Sequence, residues 1–237
     1  TYPNGVAINF DYDDPTPGTY RKGRLWRVRD LAGLVTTTTY DARGRTVKTE
    51  QRLGPIIHTT QYAYNAADQV IKIIYPDGEV VANTYNSAGL LEKVSSMTYG
   101  QHYVAALDYT PAHKVQRKTL GNGKTTTYTY DPKSLRLTGI ATPGLQNLTY
   151  AHDRAGNITT ITDTVMAATQ TFTYDSLHRL TRAASGAVPV YNHPYTYNAL
   201  GNLTAFPGKI FTYPALGSGS PRPLKSTISL NQFTIKG

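Results

Sequence analysis

The stretch Thr125-Thr126-Thr127-Tyr128-Thr129-Tyr130-Asp131 decides the fold. Alternation along a strand puts Thr126, Tyr128 and Tyr130 on one face and the intervening threonines on the other. Thr and Tyr both favour strands, so the segment reads as β. The Asp that follows the last ring ends it. Asp or Asn at the first position of a type I turn accepts hydrogen bonds from the backbone amides ahead of it.

The same instruction returns along the chain. Its ring position is filled by Tyr40, Tyr64, Tyr85, Tyr109, Tyr130, His152, Tyr174 and Tyr197, at intervals of 21 to 24 residues. A period in the twenties marks a repeat architecture, in which one small supersecondary unit is copied and stacked. Two residues before the anchor, Tyr62, Leu107, Tyr128, Tyr150, Phe172 and Tyr195 carry a second large side chain on the same face, and only Thr38 and Asn83 break that column. The turn residue after the anchor is Asp41, Asn65, Asn86, Asp131, Asp153, Asp175 or Asn198, with Thr110 the exception. Three residues further on come Gly44, Gly89, Gly156 and Gly201. Gly there supplies the left-handed residue of a G1 bulge in a short hairpin loop. Asp68, His113, Ser134 and His178 take the Gly position in the other repeats. Asp and His are among the types enriched at positive φ, and Ser134 lies in a repeat with one extra residue.

A second strand follows, opened by Val70, Leu91, Val115, Ile158, Leu180 or Leu203 two residues past the Gly position; Thr46 is the polar exception and Leu137 is displaced by the insertion. Pro3-Asn4-Gly5, Pro76-Asp77-Gly78, Gly121-Asn122-Gly123, Pro143-Gly144 and Pro207-Gly208 read as turns into the next hairpin. An imperfect earlier copy lies at Phe10-Asp11-Tyr12-Asp13, and a degenerate one begins at Phe211-Thr212-Tyr213. The expected organisation is one all-β domain over 1–237: an irregular first repeat at 1–30, regular repeats at 31–213, a Gly/Ser/Pro-rich linker at 214–223 and a terminal strand segment at 224–237. Eight two-strand units make about sixteen strands in series, and twisted open sheets rarely exceed roughly 10 strands without curling. The antiparallel sheet is therefore expected to roll, as a wide barrel, a shell wall or a spiral.

Bulk composition agrees with strands and narrows the function. Charged residues make up 16%, against roughly 25% in ordinary soluble domains; 35 Thr and 19 Tyr fill the difference and disfavour helix. No 18-residue apolar run exists to span a membrane as a helix. The first residues carry neither a basic nor an apolar signal region, and the chain opens directly in turn chemistry, as though cut from a longer one. Cysteine is absent, which excludes disulfides and thiolate metal sites. The net charge of +9 suits an acidic partner, nucleic acid or anionic lipid. Spread over the repeats, it reads better as a solvated face.

Tyr40-Asp41-Ala42-Arg43-Gly44-Arg45, Tyr174-Asp175-Ser176-Leu177-His178-Arg179-Leu180 and Tyr197-Asn198-Ala199-Leu200-Gly201-Asn202-Leu203 resemble the YD repeats of the Rhs (rearrangement hotspot) family. The resemblance runs from about Phe10 to Tyr213. Members of this family include bacterial polymorphic toxins, the cocoon-forming subunits of insecticidal Tc toxins, and teneurins. The resemblance implies a β-sheet that spirals into a hollow shell and, in the toxins, encloses a cytotoxic C-terminal domain. It implies a secreted or cell-surface bacterial protein, with the remainder of its own shell and an enclosed toxin domain as partners. Two departures limit it. Asp14-Pro15 and Asp131-Pro132 lack the Asp-Pro-x-Gly continuation of the toxin core, and no toxin domain follows. The chain therefore resembles a stretch of shell wall, a fragment without cleavage machinery or cargo.

The search for chemistry favours structural readings. The six histidines, at 58, 102, 113, 152, 178 and 193, show no metal spacing. Asp11, Asp13 and Asp14 form one acidic cluster, read as a solvated loop or a weak cation site. Arg21, Lys22, Arg24, Arg27 and Arg29 with Trp26 form the densest basic run, but alternation divides it between two faces, so nucleic acid is disfavoured. Gly217-Ser218-Gly219-Ser220 reads as a linker. Asn147, Asn157 and Asn202 begin glycosylation-like triplets, two of which come from the Gly-Asn-apolar-Thr frame of the repeat itself. The expectation is a structural, non-enzymatic protein without cofactor or metal, whose free sheet edges can self-associate. The alternative is an adhesion or glycan-binding module that uses the Tyr-rich face.

Overall fold

A computed structural model describes residues 8–213 except 15, 31–32 and 188, together with the backbone of a strand at 225–228. Thr1–Gly5, the 214–223 linker and Gly217–Ser220 lie outside the described residues. No helix occurs among those described, and every strand pair is antiparallel. The chain divides into two compact units, Thr1–Thr125 and Thr126–Gly237.

The first unit is a meander of β1 (Ile8–Tyr12), β2 (Leu25–Asp30), β3 (Leu34–Tyr40), β4 (Thr46–Leu53), β5 (Ile56–Tyr64), β6 (Val70–Ile74), β7 (Val80–Tyr85), β8 (Leu91–Ser96), β9 (Gln101–Tyr109) and β10 (Val115–Leu120). Each strand pairs with its neighbour in the chain. The second unit continues with β11 (Thr125–Tyr130), β12 (Leu137–Thr142), β13 (Gln146–His152), β14 (Ile158–Asp163), β15 (Ala168–Tyr174), β16 (Leu180–Ser185) and β17 (Tyr191–Pro194) in the same manner. A four-stranded sheet follows, made of β18 (Thr196–Tyr197), β19 (Leu203–Phe206), β20 (Lys209–Thr212) and β21 (Lys225–Ile228). Pro194 has no N–H to extend the ladder, and the strand breaks there between β17 and β18.

Each unit is one layer thick. Among the described residues only Val81 and Ala183 are buried hydrophobics, at 5% and 6% exposure. A domain ordinarily packs two layers around a core; here the cross-strand neighbours must hold the sheet instead. Register sorts the side chains of the first unit by face. Tyr62, Ile73 and Val81 form a column with Ser96 across β5 to β8. On the other face Lys48 lies opposite Gln61, Lys72 opposite Ala82 and Lys93 opposite Thr84. The aromatic column and these lysines thus lie on opposite faces, and the lysine face also carries Ile74 and Val80.

Every Tyr-Asp turn sits on a register shift at its anchor, between Thr39 and Tyr40, Ala63 and Tyr64, Thr84 and Tyr85, and at the corresponding places of later hairpins. Left-handed residues complete these turns at Gly44, Asp68, Gly89, His113, Gly156, His178 and Gly201. The longer repeat differs from the sequence reading. Its left-handed residue is Leu135, at φ 56°, rather than Ser134. The insertion moves the closing bond one residue on, so the Leu135 amide donates to the Asp131 carbonyl, while Ser134 turns its amide and hydroxyl to the Asp131 carboxylate. A left-handed conformation costs an L-residue roughly 1–2 kcal/mol that Gly does not incur. Leu135→Gly is therefore expected to stabilise the protein by about 1 kcal/mol in denaturant unfolding; destabilisation would show that the Leu135 side chain outweighs its backbone strain.

Candidate functional site

The repeated chemistry gathers at the row of Tyr-Asp turns. Within a hairpin the ladder runs up to the anchor, as in Tyr40 opposite Thr46. Between hairpins it stops earlier, at Thr37 before Tyr40, Gln61 before Tyr64, Ala82 before Tyr85 and Thr171 before Tyr174. The anchor ring bridges the opening that remains. Tyr40 donates its hydroxyl to the Leu25 carbonyl at 2.5 Å, Tyr64 to Thr46 at 2.6 Å, Tyr85 to Val70 at 2.8 Å and Tyr109 to Leu91 at 2.6 Å. Tyr174 reaches Ile158 and Tyr197 reaches Leu180, both at 2.9 Å. Tyr213, from the degenerate last copy, reaches Leu203 at the same distance of 2.9 Å. Tyr130 and His152 occupy the anchor position at the ends of β11 and β13. Burial pushes the phenols of Tyr64, Tyr109, Tyr130 and Tyr174 above the ordinary tyrosine value, which keeps them protonated as donors.

The accepting carbonyls belong to the residues that open the second strand. What matters at this position is a main-chain oxygen, which explains why polar Thr46 serves there. Asn83, which interrupts the aromatic column, sends its amide to Val70 O at 3.0 Å, the same oxygen that Tyr85 uses. Its polarity is satisfied at the junction.

The turn residues close on themselves and reach sideways. Asp41 Oδ1 accepts from the amides of Arg43 and Arg45 at 2.9 and 3.0 Å, and the Gly44 amide donates to Asp41 O at 2.9 Å. Asn65, Asn86, Asp175 and Asn198 repeat this pair of side-chain bonds. Asp153 takes the amides of Gly156 and Asn157, and Asp131 those of Lys133 and Ser134. At the exception, the Thr110 hydroxyl oxygen accepts from the Lys114 amide at 3.2 Å.

The residue after the Gly position had no role in the sequence reading, and it links one turn to the next. Arg45 donates to Asp41, to Asn65 O and to Asp68, and lies 4.7 Å over the Tyr64 ring. Arg179 repeats the arrangement with Asp175, Asn198 O and the Tyr197 ring, again at 4.7 Å. Gln69 donates to Gly89 O and Arg136 to Asp153 O. The guanidinium groups pack close to these turns: a Cβ at Gly44 would displace the end of the Arg24 side chain, and one at Gly156 would lie 2.8 Å from Arg136. The signal was present in the sequence as a long polar residue at one repeat position, but its partner lies on another repeat.

The other candidate residues are placed separately. Asp11 pairs with Arg27 and Arg29, Asp13 accepts from the Gly23 amide, and Asp14 pairs with Arg21. The three carboxylates therefore serve different partners. Arg21 and Arg27 lie 4.8 and 4.3 Å over the Trp26 ring, so that ring is occupied by this chain's own cations. Among the described residues no group of three or more His, Cys, Asp or Glu could hold a metal ion. No helix there is long and apolar enough to cross a membrane.

Comparison with known proteins matches this geometry. The family described as the teneurin YD-shell matches residues 112–219. The toxin subunits YenC2 and YenC1 of Yersinia entomophaga are 28% and 27% identical over 194 and 195 residues, 62% and 64% of this chain. The chain is thus similar, in its repeats and in its fold, to proteins of the Rhs/YD-repeat family. The matched YD repeats cover 20% of each toxin subunit, so the chain spans about a fifth of the length of these relatives. Its fold is that of the TcdB2-TccC3 structures: the complex with Cdc42 gives a TM-score of 0.69 at 22% identity, covering 94% of this chain and 14% of that one. The Photorhabdus luminescens Tc holotoxin pore gives 0.66 at 24% identity, covering 88% and 12%.

Two outcomes test the turn row. Tyr64→Phe and Tyr174→Phe each remove one hydroxyl bond and are expected to cost about 0.5–1.5 kcal/mol in chemical denaturation, with faster amide exchange at the junction. No loss in either variant would refute the bridging role. The carboxyls of Asp131, Asp153 and Asp175 are held below the ordinary range by the Ser134 amide, the Asn157 side chain and the Arg179 amide respectively. A carboxyl lowered in the folded state stabilises above its unfolded value and loses that contribution as pH falls through the folded value. Stability should hold down to about pH 4 and decline below it; a triple Asp131→Asn, Asp153→Asn, Asp175→Asn variant should show a flatter acid limb in unfolding followed by circular dichroism.

Proposed function

We propose that this chain is a segment of a longer YD-repeat wall whose work is enclosure of a toxin or effector polypeptide in an exported bacterial protein. The observation that carries the reading is the single-layer sheet with two unlike faces. A sheet with no second layer and with Tyr62, Ile73 and Val81 on one side suits a boundary between a sheltered compartment and solvent. The turn row joins hairpin to hairpin through polar bonds that need no core, so the pattern extends by repetition. The toxin-subunit relatives favour the same reading, with the rest of the wall and an enclosed polypeptide as partners and a secreted or surface location.

In such a wall the Tyr-Asp pairs serve the turns rather than catalysis, their carboxylates and amides being bonded to turn amides. The test is made on the full-length protein that carries these repeats. Small-angle scattering should give the profile of a hollow particle, and limited proteolysis should spare the enclosed segment until the wall is unfolded. A solid or extended particle whose cargo is cut as fast as free polypeptide would overturn the proposal.

A further inference from the structure

One link between adjacent turns of the second unit ends on an imidazole. Asn157 Nδ2 donates to Asp153 Oδ2 at 2.7 Å and faces His178 Nδ1 on the next turn at 3.0 Å. The amide is oriented by its first partner. A carboxylate can only accept, so the nitrogen of Asn157 must face Asp153, and the second hydrogen of that nitrogen is left for His178. The His178 Nδ1 is therefore an acceptor, with its proton on Nε2. Gln69, Arg136 and Arg179 instead end their links on the main-chain carbonyls of Gly89, Asp153 and Asn198, and Arg45 ends its own on the Asn65 carbonyl and the Asp68 carboxylate. A carbonyl oxygen does not titrate, whereas imidazole is the side chain that ordinarily changes charge between pH 5 and 8.

We propose that His178 makes the junction between the Asp153 and Asp175 turns a pH-sensitive seam, closed when the imidazole is neutral and opened when Nδ1 takes a proton. Protonation sets an N–H donor against the donor of Asn157. The amide has no escape by flipping, because Oδ1 would then face the Asp153 carboxylate. The same Asn157 bond is the chief cause that holds Asp153 below the usual carboxylate range, so this anion persists where imidazoles charge. The charged side chains of the two turns are Asp153, Arg154, Asp175 and Arg179, with Arg136 beside them. Arg179 is bound to Asp175 at 2.7 Å, and Arg136 donates to the carbonyls of Asp153 and Arg154. The Asn198–Asn202 turn on the far side brings no charged side chain.

Amide hydrogen exchange between pH 8 and pH 5, corrected for the intrinsic rate, tests the seam. Protection of the 153–157 and 175–179 turns is expected to fall several-fold on acidification, while the 198–202 turn keeps its protection. His178→Asn provides the second arm. Asn accepts the left-handed φ of 60° at this position and offers Asn157 an oxygen that does not titrate. This variant should fold with the junction closed at both pH values. A wild-type profile that is flat with pH, a loss shared equally by the 198–202 turn, or an unchanged pH response in His178→Asn would each overturn the proposal.

Discussion

The bond from a tyrosine hydroxyl to a main-chain carbonyl on the preceding hairpin is the interaction on which this structure depends. Hairpins of this kind are self-sufficient near their turns, because the bulge and the Asp or Asn side chain satisfy the local amides. Neighbouring hairpins are not. Their shared ladder ends three residues before the anchor at Tyr40, Tyr64, Tyr85 and Tyr174, leaving a carbonyl without a ladder partner. An unsatisfied main-chain group in a half-buried place costs stability. The phenol is long enough to cover the gap with its ring and to reach the oxygen with its hydroxyl, which a Phe could not do.

The arginine and amide side chains of the turn row follow from the same geometry. Once a ring spans the junction, its exposed face offers a cation a place to lie, and Arg45 and Arg179 take it while binding the turn on either side. Stability in such a sheet is built from neighbour-to-neighbour terms rather than from a shared core, which is why one instruction can be repeated without a limit set by core size.

Much of the fold was legible because each hairpin is a local matter. Alternation, the turn acid and the left-handed residue all act within about ten residues, and eight copies in phase make the pattern hard to mistake. The reading was weaker where a residue acts on another repeat. Arg45, Gln69 and Arg136 were visible only as polar side chains, and Asn83 only as an interruption, since their acceptors lie 13 to 20 residues away in sequence. Leu135 was missed for a local reason: an inserted residue moves the closing bond, and sequence showed the insertion without showing which residue would take the strain. The basic run around Trp26 and the acidic residues before it looked like two separate charge clusters, whereas pairing of β1 with β2 and the folded loop neutralise one with the other.

The sequence by itself determined the period, the antiparallel hairpins and the turn chemistry, because the physics of each spans a few consecutive residues. Only the tertiary structure decided what holds one hairpin to the next. The point at which a ladder between hairpins stops depends on twist and register accumulated over two strands, and no single position encodes it. That stopping point creates the carbonyl that the tyrosine hydroxyl meets, and with it the role of the Tyr in Tyr-Asp.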